Sequence, residues 1–176
     1  MDENQVILVD EQDNEIGFMG KLEAHQKGLL HRAFSIFIFN EKNEMLIQQR
    51  ALSKYHSPGL WTNTCCSHPK PNELLLDAAN RRLMEEMNMQ ATLDHVYQFT
   101  YRTEFENGLA EHEIDHVFIG YTNQLPTINP VEVAAYKYLS ISALELDVKA
   151  NPNHYTSWFK ICLSNVLKTI KKRLNE

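Results

Sequence analysis

Between Glu73 and Met87, the apolar residues Leu75, Ala79, Leu83 and Met87 recur at a spacing of four, and charged side chains fill the positions between them. At 3.6 residues per turn this spacing lines the apolar groups into one stripe, so it predicts an amphipathic helix over 73–87 that must bury one face. Asn72 is the candidate N-cap, and Asn88, just past the end, suits the left-handed C′ position. The flanking segments follow a different period. Val6-Ile7-Leu8-Val9 reads as a strand ended by the polar turn Glu11-Gln12-Asp13-Asn14. Ala33 to Phe39 and Met45-Leu46-Ile47 read as a hairpin across Asn40-Glu41-Lys42-Asn43. Tyr97, Phe99, Tyr101, Thr103 and Phe105 alternate with polar residues, and Glu106-Asn107-Gly108 turns the chain into a second strand from Glu111 to Tyr121. Residues 51–72, with Pro58, Gly59, Pro69 and Pro71, read as loop. Phe159, Leu163, Val166, Leu167, Ile170 and Leu174 form the stripe of a terminal helix with a basic tail, Lys171-Lys172-Arg173. Strand pairs that must share a core with amphipathic helices make an α+β chain, an α/β/α sandwich. With no repeat or linker in the sequence, a single domain over 1–176 is expected.

At 176 residues, 43% of them hydrophobic, the chain is long enough to bury a substantial core. The net charge of −6 disfavours nucleic acid as a partner, although a local cluster of Arg and Lys still admits a small anion. No apolar run approaches the roughly 20 residues of a membrane span. The start, Met1-Asp2-Glu3-Asn4-Gln5, lacks the basic-then-apolar order of a signal peptide, so a cytoplasmic location is expected. The cysteines Cys65, Cys66 and Cys162 are odd in number and give no disulfide framework, which leaves loop thiols as candidates for chemistry.

The residues suited to chemistry fall into three groups. His25, His31 and His68, with Glu111 and Glu113, are a mixed nitrogen and oxygen set for Zn, Mn or Fe, with Mg an option where carboxylates dominate. On a strand Glu111 and Glu113 face one side and His112 the other. From spacing alone, common loop histidines and a solvated strand face are the favoured alternative, since no short ligand motif appears. If Asn63-Thr64-Cys65-Cys66-Ser67-His68-Pro69 is extended, Cys66 and His68 share a side and Cys65 takes the other; a nearby metal or protonated imidazole would help ionise the Cys66 thiol. The alternative is a pair of buried structural cysteines. In the helix, Arg82 and Glu86 are spaced for an i,i+4 ion pair, while Glu85 and Glu86 together are a candidate Mg site against a diphosphate. Lys21, Arg50 and Lys54 are cations near strand ends, where an anion could dock.

Together these segments resemble the type 1 isopentenyl-diphosphate isomerases. The resemblance runs through Arg50-Ala51-Leu52-Ser53-Lys54, Pro58-Gly59-Leu60-Trp61-Thr62-Asn63, the Asn63–Pro69 loop, Glu111-His112-Glu113-Ile114-Asp115 and Ser157-Trp158. The same alignment exposes a degenerate Nudix box, G-x5-E-x7-R-E-U-x-E-E-x-G-U with U bulky and apolar. It is filled here by Ser67, Glu73, Arg81, Arg82, Leu83, Glu85, Glu86, Asn88 and Met89. Ser67 and Asn88 stand where glycines are usual, and Arg82 stands where hydrolases use a metal-binding glutamate. The resemblance implies a Nudix-like mixed sheet flanked by helices and isomerisation of isopentenyl to dimethylallyl diphosphate. It implies Cys66 and Glu113 as the acid/base pair, Tyr101 positioning Glu113, and Trp158 facing a carbocation. It further implies a divalent metal (Mn, Zn or Mg) on His25, His31, His68, Glu111 and Glu113. A Mg held by Glu86 would accompany the diphosphate, with Lys21, Arg50, Lys54 and Arg82 around it and no flavin. A monomer or weak homodimer acting on a small isoprenoid diphosphate is expected. The competing enzyme reading is a diphosphate hydrolase that uses Glu85 and Glu86 with Mg; a silent ligand-binding module is the third.

Overall fold

The computed structural model describes residues 4–105 and 107–174, and of residues 173 and 174 the backbone alone. Met1, Asp2, Glu3 and Glu106, and the side chains of Arg173 and Leu174, which figure in the sequence reading, lie outside the described residues. In chain order the elements are β1 (Gln5–Val9), β2 (Glu15–Gly20), α1 (Lys21–Lys27), β3 (His31–Phe39), β4 (Glu44–Arg50), β5 (Trp61–Thr62), β6 (Cys65–Ser67) and α2 (Leu75–Met87). There follow β7 (Leu93–Glu104), β8 (Ala110–Tyr121), β9 (Val133–Ser140), α3 (Ile141–Ala150), a 3₁₀ turn at Pro152–His154 and α4 (Ser157–Leu174).

All nine strands join one mixed sheet organised around β3. Along one edge β3 runs parallel to β8, from His31↔Glu113 to Phe39↔Tyr121. Along the other edge, Phe34 to Ile36 pair with β6, after which Ile38 and Phe39 pair with β4. The expected β3–β4 hairpin is therefore only two residue pairs deep. Beyond it that edge of β4 pairs with β5, because β6 has taken the edge of β3 that β4 leaves, while β9 runs along the other edge of β4 from Glu44 to Arg50. β7 and β8 form the expected long antiparallel pair.

Alternation along β3 and β8 splits the core into two layers. Phe37, Phe39, Val117 and Ile119 meet Trp158, Phe159, Cys162, Val166 and Ile170 of α4. Phe34, Ile36, Ile38 and Phe118 meet Ala78, Ala79, Leu83 and Met87 of α2. The sheet is thus covered on both faces by helices, which is the predicted α/β/α arrangement. No helix among the described residues is long and apolar enough to cross a membrane.

Asn88 adopts the left-handed conformation (φ 51, ψ 43) and ends α2 as predicted. Asn72 is not the N-cap. It has φ 63, and the helix starts later, behind Leu74, which makes no side-chain cap. Pro71-Asn72 form the centre of a turn closed by Glu73 N–H to Lys70 O at 3.0 Å, the kind of turn in which Asn tolerates positive φ. Residues 51–72 are less irregular than expected, since they contain β5 and β6. Helix α1 is only two turns long and stops at Gly28 (φ 60). So short a segment carries little periodicity.

Leu83 is fully buried between α2 and the sheet. Leu83→Ala should cost about 2–5 kcal/mol of stability, read as a lower urea midpoint at unchanged slope.

Candidate active site

The parallel register of β3 and β8 sets His31 beside Glu113. Around this pair, α1 supplies His25 and the loop after β6 supplies His68. The Nε2 atoms of His68, His31 and His25 stand 2.9, 3.3 and 3.9 Å from Glu113 Oε1. One ligating atom from each of these four residues lies within 4.8 Å of all the others. His31 Nδ1 is 2.8 Å from Leu29 O; a carbonyl only accepts, so Nδ1 carries a proton and Nε2 is the nitrogen turned to the cluster. His25 Nε2 and His31 Nε2 are buried and have no hydrogen-bond partner. Burial holds the imidazoles of His25 and His68 neutral, with His68 lowered to about 3. Neutral imidazole is the ligating form, and three of them with one carboxylate fit a divalent metal.

Glu111 and Glu113 share a face of β8 as predicted, with His112 turned the other way onto Gly28 O. They differ in role. Burial alone would raise Glu113, but His25, His31 and His68 outweigh it and hold the carboxyl well below the usual range. Glu111 is pushed well above that range by burial and by the charge on Glu113. It stands next to the group of four, joined to it by Tyr101, whose hydroxyl donates to Glu113 Oε2 at 2.7 Å and whose oxygen lies 3.1 Å from Glu111 Oε2.

In β6, Cys65 is buried against the α2 layer, while Cys66 and His68 both line a cleft on the opposite side, as the extended reading required. The protein groups around Cys66 do not favour its ionisation. Burial raises the group to about 12; Arg50 opposes this, while Glu86, Glu111 and Asp115 add to it. Cys66 is therefore a neutral S–H, the form that can give up a proton.

The same cleft, about 660 Å³ counted to its open mouth, is lined by Lys21, Arg50, Lys54, Arg82, Glu86, Tyr101, Glu111, Glu113 and Trp158. That size suits a small molecule. The Arg50 guanidinium lies 5.3 Å from the centre of the Trp158 ring, so this π face already accepts a cation. Glu86 is buried; it accepts from Gln48 Nε2 at 2.8 Å and pairs with Arg82. Glu85 does not line this cleft; its side chain is 40% exposed, pairs with Arg81 and Arg82, and lines the adjoining groove together with Lys21, Lys54 and Arg82. Arg82 thus sits between the two carboxylates required by the hydrolase reading and pairs with both. Arg81 and Glu73, two positions at which this chain keeps the Nudix-box residue, form a two-pronged ion pair at 2.6 and 2.8 Å that ties the loop to α2.

Four residues at this site escaped the sequence reading. Glu132 anchors both Lys54 and Arg82. Asp115 is buried and accepts from Ser35 Oγ at 2.8 Å. Tyr55 Oη lies 3.0 Å from His25 Nδ1. His56, 7% exposed, stands 3.6 Å from Glu111 Oε1. Only Asp115 carried a signal: it continues the Glu111, Glu113 alternation on the same strand face.

Burial, with Arg50 next, lowers His56 to about 2. In the unfolded chain it takes up a proton below about 6.5, while the folded protein excludes that proton. The stability it supports is therefore complete above pH 6.5 and is lost as pH falls toward 2, by up to about 1.4 kcal/mol per pH unit. His56→Gln should flatten the acid limb of a plot of unfolding free energy against pH; an unchanged slope would show that His56 is not excluded from protonation.

The NUDIX domain family matches residues 29–159. Isopentenyl-diphosphate Delta-isomerase 2 of Aromatoleum aromaticum is 52% identical, covering 94% of this chain and 87% of its own length. The isopentenyl-diphosphate Delta-isomerases of Pectobacterium atrosepticum (49% identical, 92% of this chain and 90% of that protein) and Photobacterium profundum (45%, 97% and 98%) match over similar spans. Among solved structures, a protein from Deinococcus radiodurans superposes with a TM-score of 0.69 at 19% identity, over 83% of this chain and 89% of that one. The MutT protein of Methanosarcina mazei does so at 0.66 and 19%, over 81% and 96%. These two likenesses show a shared fold. Relatives matched end to end at about half identity, on a NUDIX domain in which Arg82 replaces the hydrolase glutamate, show that the chain belongs to the isopentenyl-diphosphate Delta-isomerase family of the NUDIX fold.

Proposed function

We propose that this chain interconverts isopentenyl and dimethylallyl diphosphate, with Cys66 and Glu113 exchanging protons with the substrate. The observation that carries this reading is the content of one cleft: four cations, a neutral thiol, a charged carboxylate held by Tyr101, and an indole face. The cations Lys21, Arg50, Lys54 and Arg82 bind and orient the diphosphate. A proton added to the terminal alkene carbon leaves a tertiary cation, and removal of a proton from the neighbouring methylene forms the internal double bond. Cys66 and Glu113 reach the cleft from strands on opposite edges of β3, which suits proton delivery and removal on two sides of a flat substrate. Each can serve in either direction, because substrate and product interconvert. Trp158 shelters the cation from water and meets it with a π face, worth about 2 kcal/mol or more when desolvated. Tyr101 fixes the Glu113 carboxylate by donating to it.

His25, His31, His68 and Glu113, with Glu111 as a fifth ligand, would hold Mn, Zn or Mg, and Glu86 a Mg shared with the diphosphate. Bound there, the metals tune the acidity of the glutamates and neutralise the diphosphate. One domain over 1–176, acting in the cytoplasm as a monomer or weak homodimer, completes the proposal. The hydrolase reading is disfavoured by Arg82, which stands between Glu85 and Glu86 and pairs with both.

Incubation with isopentenyl diphosphate, with and without a chelator, tests the activity. Dimethylallyl diphosphate without released phosphate is expected, and the chelator should suppress it; phosphate release would favour hydrolysis instead. Cys66→Ala should lower turnover by about 10²–10⁴-fold or more with circular dichroism and metal content retained, and unchanged turnover would remove Cys66 from the reaction. Glu111→Gln should lower the bound metal; full stoichiometry would take Glu111 out of the ligand set.

A further inference from the structure

We infer that Tyr55 is a positioning residue for the metal cluster, its hydroxyl fixing His25 in the tautomer that turns the Nε2 lone pair toward the metal. The inference rests on the reading of His25 as a ligand. Of the three imidazoles, His25 is the one that the cluster itself holds least. His68 Nε2 is within hydrogen-bond reach of Glu113 Oε1 at 2.9 Å, and His31 is fixed through Nδ1 to Leu29 O at 2.8 Å. His25 Nε2 is 3.9 Å from Glu113 Oε1, too far for a hydrogen bond, and is buried without a partner. Among the described residues, the one hydrogen bond to its ring is the 3.0 Å contact between Nδ1 and Tyr55 Oη.

That contact has two polarities with opposite consequences. If the tyrosine donated, Nδ1 would be the bare nitrogen and Nε2 would carry a hydrogen into the metal position. If Nδ1–H donates and the tyrosine oxygen accepts, Nε2 is free to ligate. The second polarity needs another acceptor for the tyrosine proton, and solvent supplies it, because Tyr55 is 46% exposed at the mouth of the cleft. An orienting partner on the far ring nitrogen is how ligating histidines are ordinarily fixed, and losing it costs about 10–100-fold in metal affinity.

The hydroxyl is itself held in place. The Tyr55 carbonyl accepts from Asn107 Nδ2 at 3.4 Å, and the Tyr55 ring meets His56 edge-on at 4.6 Å. His56 in turn stacks on Phe105 at 5.2 Å, and its carbonyl accepts from Arg50 at 3.2 Å. Tyr55 is therefore delivered by a braced loop.

The test strips the whole protein of metal and titrates it with Zn²⁺ alone in competition with a chromogenic chelator. Tyr55→Phe, which removes only the oxygen, should weaken Zn²⁺ binding by about 10–100-fold. In ¹⁵N spectra of the zinc-loaded protein, His25 should show a protonated, exchange-protected Nδ1 that Tyr55→Phe shifts or exposes. Leu52→Ala, an exposed position on the same loop, should bind Zn²⁺ as the unaltered chain does. Unchanged affinity in Tyr55→Phe, equal weakening in Leu52→Ala, or a protein that takes up no Zn²⁺ would each overturn the inference. No isoprenoid diphosphate enters the titration. An inactive protein that still loses Zn²⁺ affinity on Tyr55→Phe would sink the activity reading and leave this one standing. An active protein indifferent to Tyr55→Phe would do the reverse.

Discussion

A carboxylate at 5% exposure keeps its charge only where other groups replace the water it has lost, and Glu113 is such a carboxylate. Its compensation comes from three imidazoles and the Tyr101 hydroxyl. These arrive on α1, β3, the loop after β6, and β7, so the site exists only where all four elements are in register around β8. The pairing of His31 with Glu113 in the parallel β3–β8 ladder is the fixed point. A slip of one residue would send Glu111, Glu113 and Asp115 to the α2 face and bring His112 and His116 in their place.

The other charges at the site follow from that one. With Glu113 ionised, Glu111 is pushed toward its neutral form, so two glutamates on one strand face hold different protons. Cys66 is half-buried in the cleft, where desolvation and the nearby Glu86, Glu111 and Asp115 outweigh Arg50, and it stays a thiol. A neutral proton donor and an ionised carboxylate in one cleft are matched to adding one proton and removing another. Arg82 completes the arrangement from α2: it binds Glu86, carries positive charge into the cleft, and occupies the place where a further carboxylate would be needed for hydrolysis.

Much of the architecture was legible residue by residue. The stripe of Leu75, Ala79, Leu83 and Met87 named both the helix and its buried face, and Asn88 named its end. Alternation in the Asn63–Pro69 segment separated Cys65 from Cys66 correctly, because in extended chain a one-residue step always reverses direction. What failed were features too short or too non-local for periodicity. Helix α1 is two turns, β5 and β6 are two and three residues, and Asn72 resembled a cap until the Lys70–Glu73 turn claimed it. Tyr55 and His56 gave no sign of their place, since their partners are His25 and Glu111, far away in sequence.

The sequence by itself determined the periods, the faces of α2 and β8, and an ordered set of motifs specific enough to name a family. These depend on the local geometry of helix and strand, which every residue imposes on its neighbours. Only the tertiary structure decided that His25, His31, His68 and Glu113 meet at one point while Glu111 stands beside it, joined through Tyr101. It alone decided that Arg82 stands between Glu85 and Glu86 and pairs with both, and that Cys66 holds its proton. Those outcomes depend on distance and burial, and in a low-dielectric interior both act between groups that the chain order keeps apart.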